Sequence, residues 1–103
     1  CENGTHYVAK DDILYCMPFQ GSYVLGLLDG SYINLSCDIA EVQILVLPYR
    51  EFCRANKKHI INMRFVSMIT PISVMMQDYR EFHISPFRYL EIKKLKEEID
   101  ELF

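Results

Sequence analysis

Short apolar runs of strand length, each ended by a turn signal, dominate the first third of this 103-residue sequence. The run over 13–19 is stopped by Pro18-Phe19-Gln20-Gly21, and a second run, 22–28, leads into Asp29-Gly30. Asp-Gly between apolar runs is a strong hairpin signal, because both central positions of a type I′ turn need positive φ. We therefore predict antiparallel strands joined by tight turns, with a type I′ turn at Asp29-Gly30.

Helical spacing of apolar residues occurs in only two segments. One covers 39–47, with Asp38 as its cap and Pro48 as its end. The other starts at Ser85-Pro86, where serine suits the cap and proline the first helical position, and runs towards Phe103. Further strand-length runs lie at 7–9, 32–36, 65–69, 72–77 and 81–84. Too few helices separate the strands for a parallel βαβ sheet, so we predict a mainly β antiparallel domain.

Length and composition exclude several classes of protein. A chain of this length forms about one domain, and its 50% hydrophobic content is that of a folded chain rather than a disordered tail. No apolar stretch approaches the roughly 20 residues of a membrane helix, so we expect no membrane contact by this domain. The sequence starts at Cys1 without an initiator methionine or signal peptide, which we interpret as a piece, 1–103, of a longer protein.

The sequence lacks the local patterns of catalytic and metal sites. There is no G-x-G-x-x-G, P-loop, H-E-x-x-H or G-x-S-x-G, and the three histidines are far apart. The cysteines form no C-x-x-C pair, and Cys16 and Cys53 stand among apolar residues as small core side chains. We expect no enzymatic activity, no metal and no cofactor.

A cluster of basic residues lies in the middle of an otherwise acidic chain of net charge −3. Between 50 and 64 there is one acid, Glu51, and five bases: Arg50, Arg54, Lys57, Lys58 and Arg64. Apolar residues flank the polar segment Arg54–His59 on both sides. Cations release counterions from DNA, and Asn or Lys can donate to purine edges in the major groove. The segment is therefore a DNA-contacting loop or a solvated connection between strands, and charge alone does not choose between them.

The sequence of this segment resembles the signature of LytTR-type DNA-binding domains, approximately F-F-R-x-H-R/N-S-Y/F-x-V-N. Phe52, Arg54, Ile61 and Asn62 match it directly or conservatively. Other family features follow in the same order: the early D-I-L-Y strand at 12–15, the Asp-Gly hairpin, the central helix over 39–47 and the serine before the last helix. The resemblance covers residues 5–99.

The resemblance implies elongated antiparallel β-sheets with one short central helix and a C-terminal helix. It also implies an activity, which is sequence-specific DNA binding by the output domain of a bacterial transcriptional regulator. Such domains insert loops into the major groove and bind direct repeats in promoter double-stranded DNA, often bending it. They usually follow a receiver of a two-component system or a membrane sensor, and they work in the cytoplasm.

Three places in the family contact DNA, and each has a counterpart in this sequence. The first is the loop at 20–23, the second is the signature segment and the third is the start of the last helix. With the neighbouring bases Arg54 and Arg64 included, the expected DNA-binding residues are Gln20, Ser22, Tyr23, Arg54, Asn56, Lys57, Lys58, Arg64, Ser85 and Arg88.

Departures from the family pattern leave a second interpretation open. Asn56 replaces a histidine, His59 replaces an aromatic residue, and Pro86-Phe87 stand where basic residues are common. The first loop has Ser22 or Tyr23 where a histidine or a basic residue is common, whereas Lys58 replaces a serine and would add a phosphate contact. Losing charged contacts weakens DNA affinity steeply. The alternative is a degenerate interaction module that does not bind DNA alone. Its terminal helix would form a homodimer through one stripe, unless that stripe packs on the β body: Ile92, Leu95, Ile99 and Leu102.

Overall fold

The computed structural model describes residues 9–35, 39–46 and 48–102. Within them the strands are β1 (Ile13–Phe19), β2 (Ser22–Leu27), β3 (Tyr32–Leu35), β4 (Phe52–Asn56), β5 (His59–Asn62), β6 (Val66–Ile69), β7 (Ser73–Met76) and β8 (Glu81–His83). The helices are α1 (Ile39–Val46) and α2 (Tyr89–Leu102), with 3-10 turns at Lys10–Asp12, Met63–Phe65 and Pro86–Arg88. The predicted mainly β class is confirmed. Of the strand predicted at 7–9, residues 7 and 8 lie outside the described residues, and Ala9 precedes the first 3-10 turn without belonging to a strand. The cap predicted at Asp38 also lies outside the described residues.

The strands form two antiparallel sheets. Sheet A has the order β3-β2-β1-β5-β4, and sheet B has the order β6-β7-β8. The molecule is longest along one axis, with principal extents of 37 × 27 × 24 Å. No described helix is long and apolar enough to cross a bilayer.

Both faces of sheet A pack against other elements. Successive side chains along a strand point to opposite faces of the sheet. One face packs against sheet B and α2 in the larger core, which includes Tyr15, Ile61 and Ile99. The other face packs against α1 in a smaller core, which includes Cys16 and Ile60. Neighbours in sequence, such as Tyr15 and Cys16, therefore enter different cores.

The two described cysteines are unpaired and behave as apolar side chains. Cys16 is buried and Cys53 is partly buried. Burial raises the pKa of each thiol to about 12. Both therefore stay protonated at neutral pH, as inert thiols.

The apolar stripe of α2 packs mainly on the β body. Ile92 and Ile99 are buried, Leu95 packs against the larger core, and Leu102 remains 58% exposed. The start of this helix differs from the prediction. A 3-10 turn occupies Pro86–Arg88, and the Ser85 hydroxyl makes no capping hydrogen bond. The Arg88 N–H donates to the Ser85 carbonyl over 2.9 Å, which is the hydrogen bond that closes the 3-10 turn.

The Asp29-Gly30 hairpin is present, but its turn type differs from the prediction. Among the described residues other than glycine, positive φ occurs only at Gln20 and Tyr79, so Asp29 does not adopt it. Gly30 has φ +89°, and its N–H donates to the Leu27 carbonyl. The loop is therefore a three-residue turn closed by a left-handed glycine. The Asp29 carboxylate fixes it by accepting from the Ser31 N–H over 2.9 Å.

The type I′ geometry occurs instead between β1 and β2. Gln20 and Gly21 both have positive φ, +49° and +81°, and they separate the paired residues Phe19 and Ser22. A two-residue turn of this kind matches the right-handed twist of the flanking strands.

A close approach of side chain to backbone connects β1 to β2. Tyr15 pairs with Gly26 across the strands, and its ring covers the glycine. A Cβ on Gly26 would lie 2.3 Å from the Tyr15 Cε1 atom. The position therefore excludes any side chain unless the buried Tyr15 ring moves.

Replacing Gly26 with alanine is expected to destabilise the fold by about 1–3 kcal/mol, the usual cost of overpacking a closed core. Urea unfolding followed by circular dichroism measures the change. An unfolding midpoint equal to that of the wild type would contradict the close approach of Tyr15 to Gly26.

Candidate nucleic-acid interface

Two turns lie at the same end of sheet A. The β1–β2 turn contains Gln20 and Gly21, and the β4–β5 turn contains Lys57 and Lys58. Tyr15 of β1 pairs with Ile61 of β5, and Cys16 pairs with Ile60. In that antiparallel register the end of β1 lies beside the start of β5. We call this end, formed by the two turns, the tip.

The polar segment predicted as a loop is largely strand. Arg54–Asn56 belongs to β4 and His59 belongs to β5, so only Lys57 and Lys58 form the turn between them. Backbone pairing thus holds the two lysines at a defined place on the tip.

The third expected segment, Ser85–Arg88, runs along the open side of β4. The Ser85 N–H donates to the Ala55 carbonyl over 3.0 Å. The Arg88 Nη1 atom donates to the Arg54 carbonyl over 3.2 Å. The second and third expected regions therefore lie side by side along β4, and the first lies at the same end of sheet A as the lysine turn.

Lys57 and Lys58 are both exposed. Within the described segments, neither ammonium group has a carboxylate within 4.0 Å; the described ion pairs belong to other bases. Their charge is therefore available to an external anion.

Asn56 uses its side chain to shape the tip. Its Oδ1 atom accepts from the Lys58 N–H over 2.8 Å, and its Nδ2 atom donates to the His83 carbonyl over 2.6 Å. The first bond closes the lysine turn, and the second ties sheet A to sheet B. Asn56 was predicted to contact DNA, and the structure gives it these internal partners.

His59 takes the packing position of an aromatic residue. Its ring lies 4.8 Å from the Phe82 ring, centroid to centroid, at an angle of 37°. Its Nδ1 atom is 2.8 Å from Asn56 Oδ1, which can only accept, so Nδ1 carries the hydrogen. Burial, with a smaller contribution from the Lys58 charge, lowers the pKa of His59 below its ordinary value of 6.5. His59 is therefore neutral at pH 7.

Arg54 does not lie on the tip surface. Its side chain is half-buried and borders a small depression beside α1, together with Gln43 and Val46. Its Nε atom is buried and has no hydrogen-bond partner among the described residues.

The basic cluster seen in the sequence is dispersed in the structure. The Arg64 Nη1 atom bonds to Asp11 Oδ1 over 3.2 Å, near the start of β1 and opposite the tip. The Arg50 Nη2 atom lies 3.3 Å from Glu98 Oε2 on α2. The register of β5 causes the separation, because Arg64 follows the strand end that points away from Lys58.

Only part of the first expected region, the loop at 20–23, is accessible to a ligand. Gln20 is exposed at the turn, whereas Ser22 and Tyr23 are half-buried in β2. The Ser22 hydroxyl donates to the Phe19 carbonyl over 3.3 Å, and Tyr23 packs against the smaller core. Of these three residues, Gln20 faces solvent most fully.

Two exposed residues near the tip were not predicted as contacts. His83 lies beside Asn56, and Phe87 is 97% exposed in the segment along β4. In the LytTR-type family that the sequence resembles, basic residues are common at the position of Phe87. This mismatch was the feature of the sequence that could have pointed to Phe87. For His83 the sequence held no signal, because pairing between the two sheets brings it to the tip.

The two antiparallel sheets, with α1 behind one of them and α2 closing the chain, have the LytTR-type arrangement expected from the motifs. A solved LytTr DNA-binding domain of a putative methyl-accepting/DNA response regulator from Bacillus cereus is similar, with a TM-score of 0.73 and 17% identity. The similarity covers 92% of this chain and 90% of that one, which confirms the fold. The sequence matches no protein-family model and no curated protein.

The His59 environment predicts a dependence of stability on pH. A histidine whose pKa is lowered by folding binds fewer protons in the folded state, so folding stability falls as pH drops below 6.5. His59→Phe keeps the ring contact and removes the titration, so its unfolding free energy should fall less between pH 7.5 and pH 5. Urea unfolding across that range measures the difference.

His83→Gln is the matched control, since it removes an exposed histidine near the same turn. If His59→Phe and the wild type lose the same stability towards low pH, the buried, neutral state of His59 is refuted.

Proposed function

We propose that this chain binds double-stranded DNA as the output domain of a bacterial transcriptional regulator. The supporting observation is that Lys57 and Lys58 lie exposed at the tip without an acidic partner among the described residues. The fold similarity to a solved LytTr DNA-binding domain supports the same proposal. In this role the chain is a binding domain without catalytic activity.

The dimensions of the tip suit a DNA groove. β1 and β5 are neighbours in sheet A, so the midlines of the two turns are about two strand spacings apart, roughly 10 Å. The major groove is about 12 Å wide. The lysine turn can therefore enter the groove while the Gln20-Gly21 turn reaches its rim. Sequence-specific contacts would then be made with the base edges on the floor of the groove.

The number of available cations sets the affinity expected of one copy. Lys57, Lys58 and Arg88 can neutralise about two to three phosphates, each contributing about −0.9 to the slope of log K against log salt. Such a slope implies weak binding by a single copy. Two copies on direct repeats in a promoter gain affinity through effective concentration, so repeats fit the proposal.

The proposed setting follows from the same family relation. The chain would be one domain of a response regulator, 1–103 of a longer cytoplasmic protein in a two-component system. The alternative module, a homodimer through α2, has less support, because Ile92 and Ile99 of its stripe lie in the protein's own core.

Neutralising the tip should weaken binding and reduce its salt dependence together. For the double variant Lys57→Ala/Lys58→Ala, the slope of log K against log salt should lose about two units relative to the wild type, because two phosphate contacts disappear. Fluorescence anisotropy with a random-sequence duplex at several salt concentrations measures both quantities.

Lys93→Ala/Lys94→Ala is the control, since it removes the same charge from the exposed side of α2 and should leave the slope nearly unchanged. Equal losses in the two double variants would show that net charge, and not the tip, governs binding. A wild-type chain that binds no duplex would overturn the proposed function.

A further inference from the structure

The Phe87 side chain is exposed to solvent, on a backbone that hydrogen bonds hold in place. It is 97% exposed, the highest value among the described large apolar side chains. Proline precedes it in the 3-10 turn, and hydrogen bonds from Ser85 and Arg88 to β4 fix both sides of the turn. Because the backbone is already fixed, only the rotamer freedom of the ring is lost on contacting a partner.

The surroundings of Phe87 are those of the proposed DNA interface. The segment passes His83 beside Asn56, Ser85 beside Ala55 and Arg88 beside Arg54, so it descends from the tip along β4. Phe87 therefore lies within about two strand residues of the lysine turn, roughly 7 Å along the strand direction. A duplex seated on Lys57 and Lys58 comes within reach of this ring.

Duplex DNA offers one apolar feature in the major groove, the 5-methyl group of thymine. Contacts of lysine with phosphates position a duplex but carry no sequence information, so specificity needs contacts with base edges as well. A phenyl ring in the same groove cannot form a hydrogen bond with a base edge. The thymine methyl group is the feature of a base that the ring can bury. Leu90, 75% exposed and three residues later, extends the apolar surface.

We propose that Phe87 is a specificity-determining residue that reads a thymine methyl group in the target DNA. This inference rests on the proposed function, because it needs a duplex seated on the tip in the major groove. A basic side chain at this position would contact phosphate. Phenylalanine cannot make that phosphate contact, which every DNA sequence allows. It makes instead a contact with a methyl group that only thymine carries.

The test compares thymidine with deoxyuridine, two nucleosides that differ only by the 5-methyl group of the base. A duplex is selected from a random pool by the wild-type chain, and each thymine is then replaced in turn by deoxyuridine. At one or two positions the wild type should bind about fourfold more weakly, the value of one buried methyl group. Phe87→Ala should bind the thymine duplex about tenfold more weakly and show no loss at those positions. Phe87→Leu should keep part of the thymine preference.

Leu102→Ala is the matched control, since Leu102 is also exposed and lies about 20 Å along α2 from its start. It should bind like the wild type and keep the full thymine preference. Because Phe87 packs against little, Phe87→Ala should unfold at the wild-type urea concentration.

The outcomes separate this inference from the proposed function. If Phe87→Ala retains the wild-type loss at every deoxyuridine, while Lys57→Ala/Lys58→Ala weakens binding, the proposed function stands and Phe87 does not read thymine. If Phe87→Ala changes the bend of the duplex but not the thymine preference, the ring acts as a wedge and the inference is overturned. If the wild type selects no duplex, both fail.

Discussion

The aromatic contact between the two sheets determines where the tip lies. The buried Tyr15 ring meets Phe82 of sheet B edge-on at 5.0 Å, and Phe82 meets His59 on its other side. The Tyr15 hydroxyl donates to Asp78 Oδ2 over 2.7 Å and accepts from Arg80 Nε over 3.2 Å. This contact joins the two sheets, and through His59 and Asn56 it relates the position of sheet B to that of the lysine turn.

Local sequence patterns predicted the strands, the hairpins and the two helices, because turn residues and periodicity act over a few positions. They did not predict the turn types, since the type I′ geometry expected at Asp29-Gly30 occurs at Gln20-Gly21, for which no turn type was predicted. Nor did they predict which bases share a surface. Strand register decides that, and it sends Arg64 to Asp11 while Lys57 stays at the tip.

Departures from the family signature fall into two groups once the structure is considered. Asn56 and His59 keep the turn intact, one through hydrogen bonds to backbone and the other through ring packing. Lys58 and Phe87 face solvent instead, where they alter what the surface can bind. The sequence alone counted Asn56, His59 and Phe87 as losses of DNA contacts and Lys58 as a gain, because a substitution does not reveal whether its position points inwards or outwards.

The direction of α2 gives the molecule an uneven distribution of charge. The helix leads away from the tip to the end where Lys96 donates to the Met63 carbonyl, and its last turns carry Glu97, Glu98, Asp100 and Glu101. These four acids therefore lie far from Lys57 and Lys58, in company with bases such as Arg50 and Lys96. Carboxylates repel a polyanion, so this acidic end of α2 disfavours an approach of a polyanion from that side.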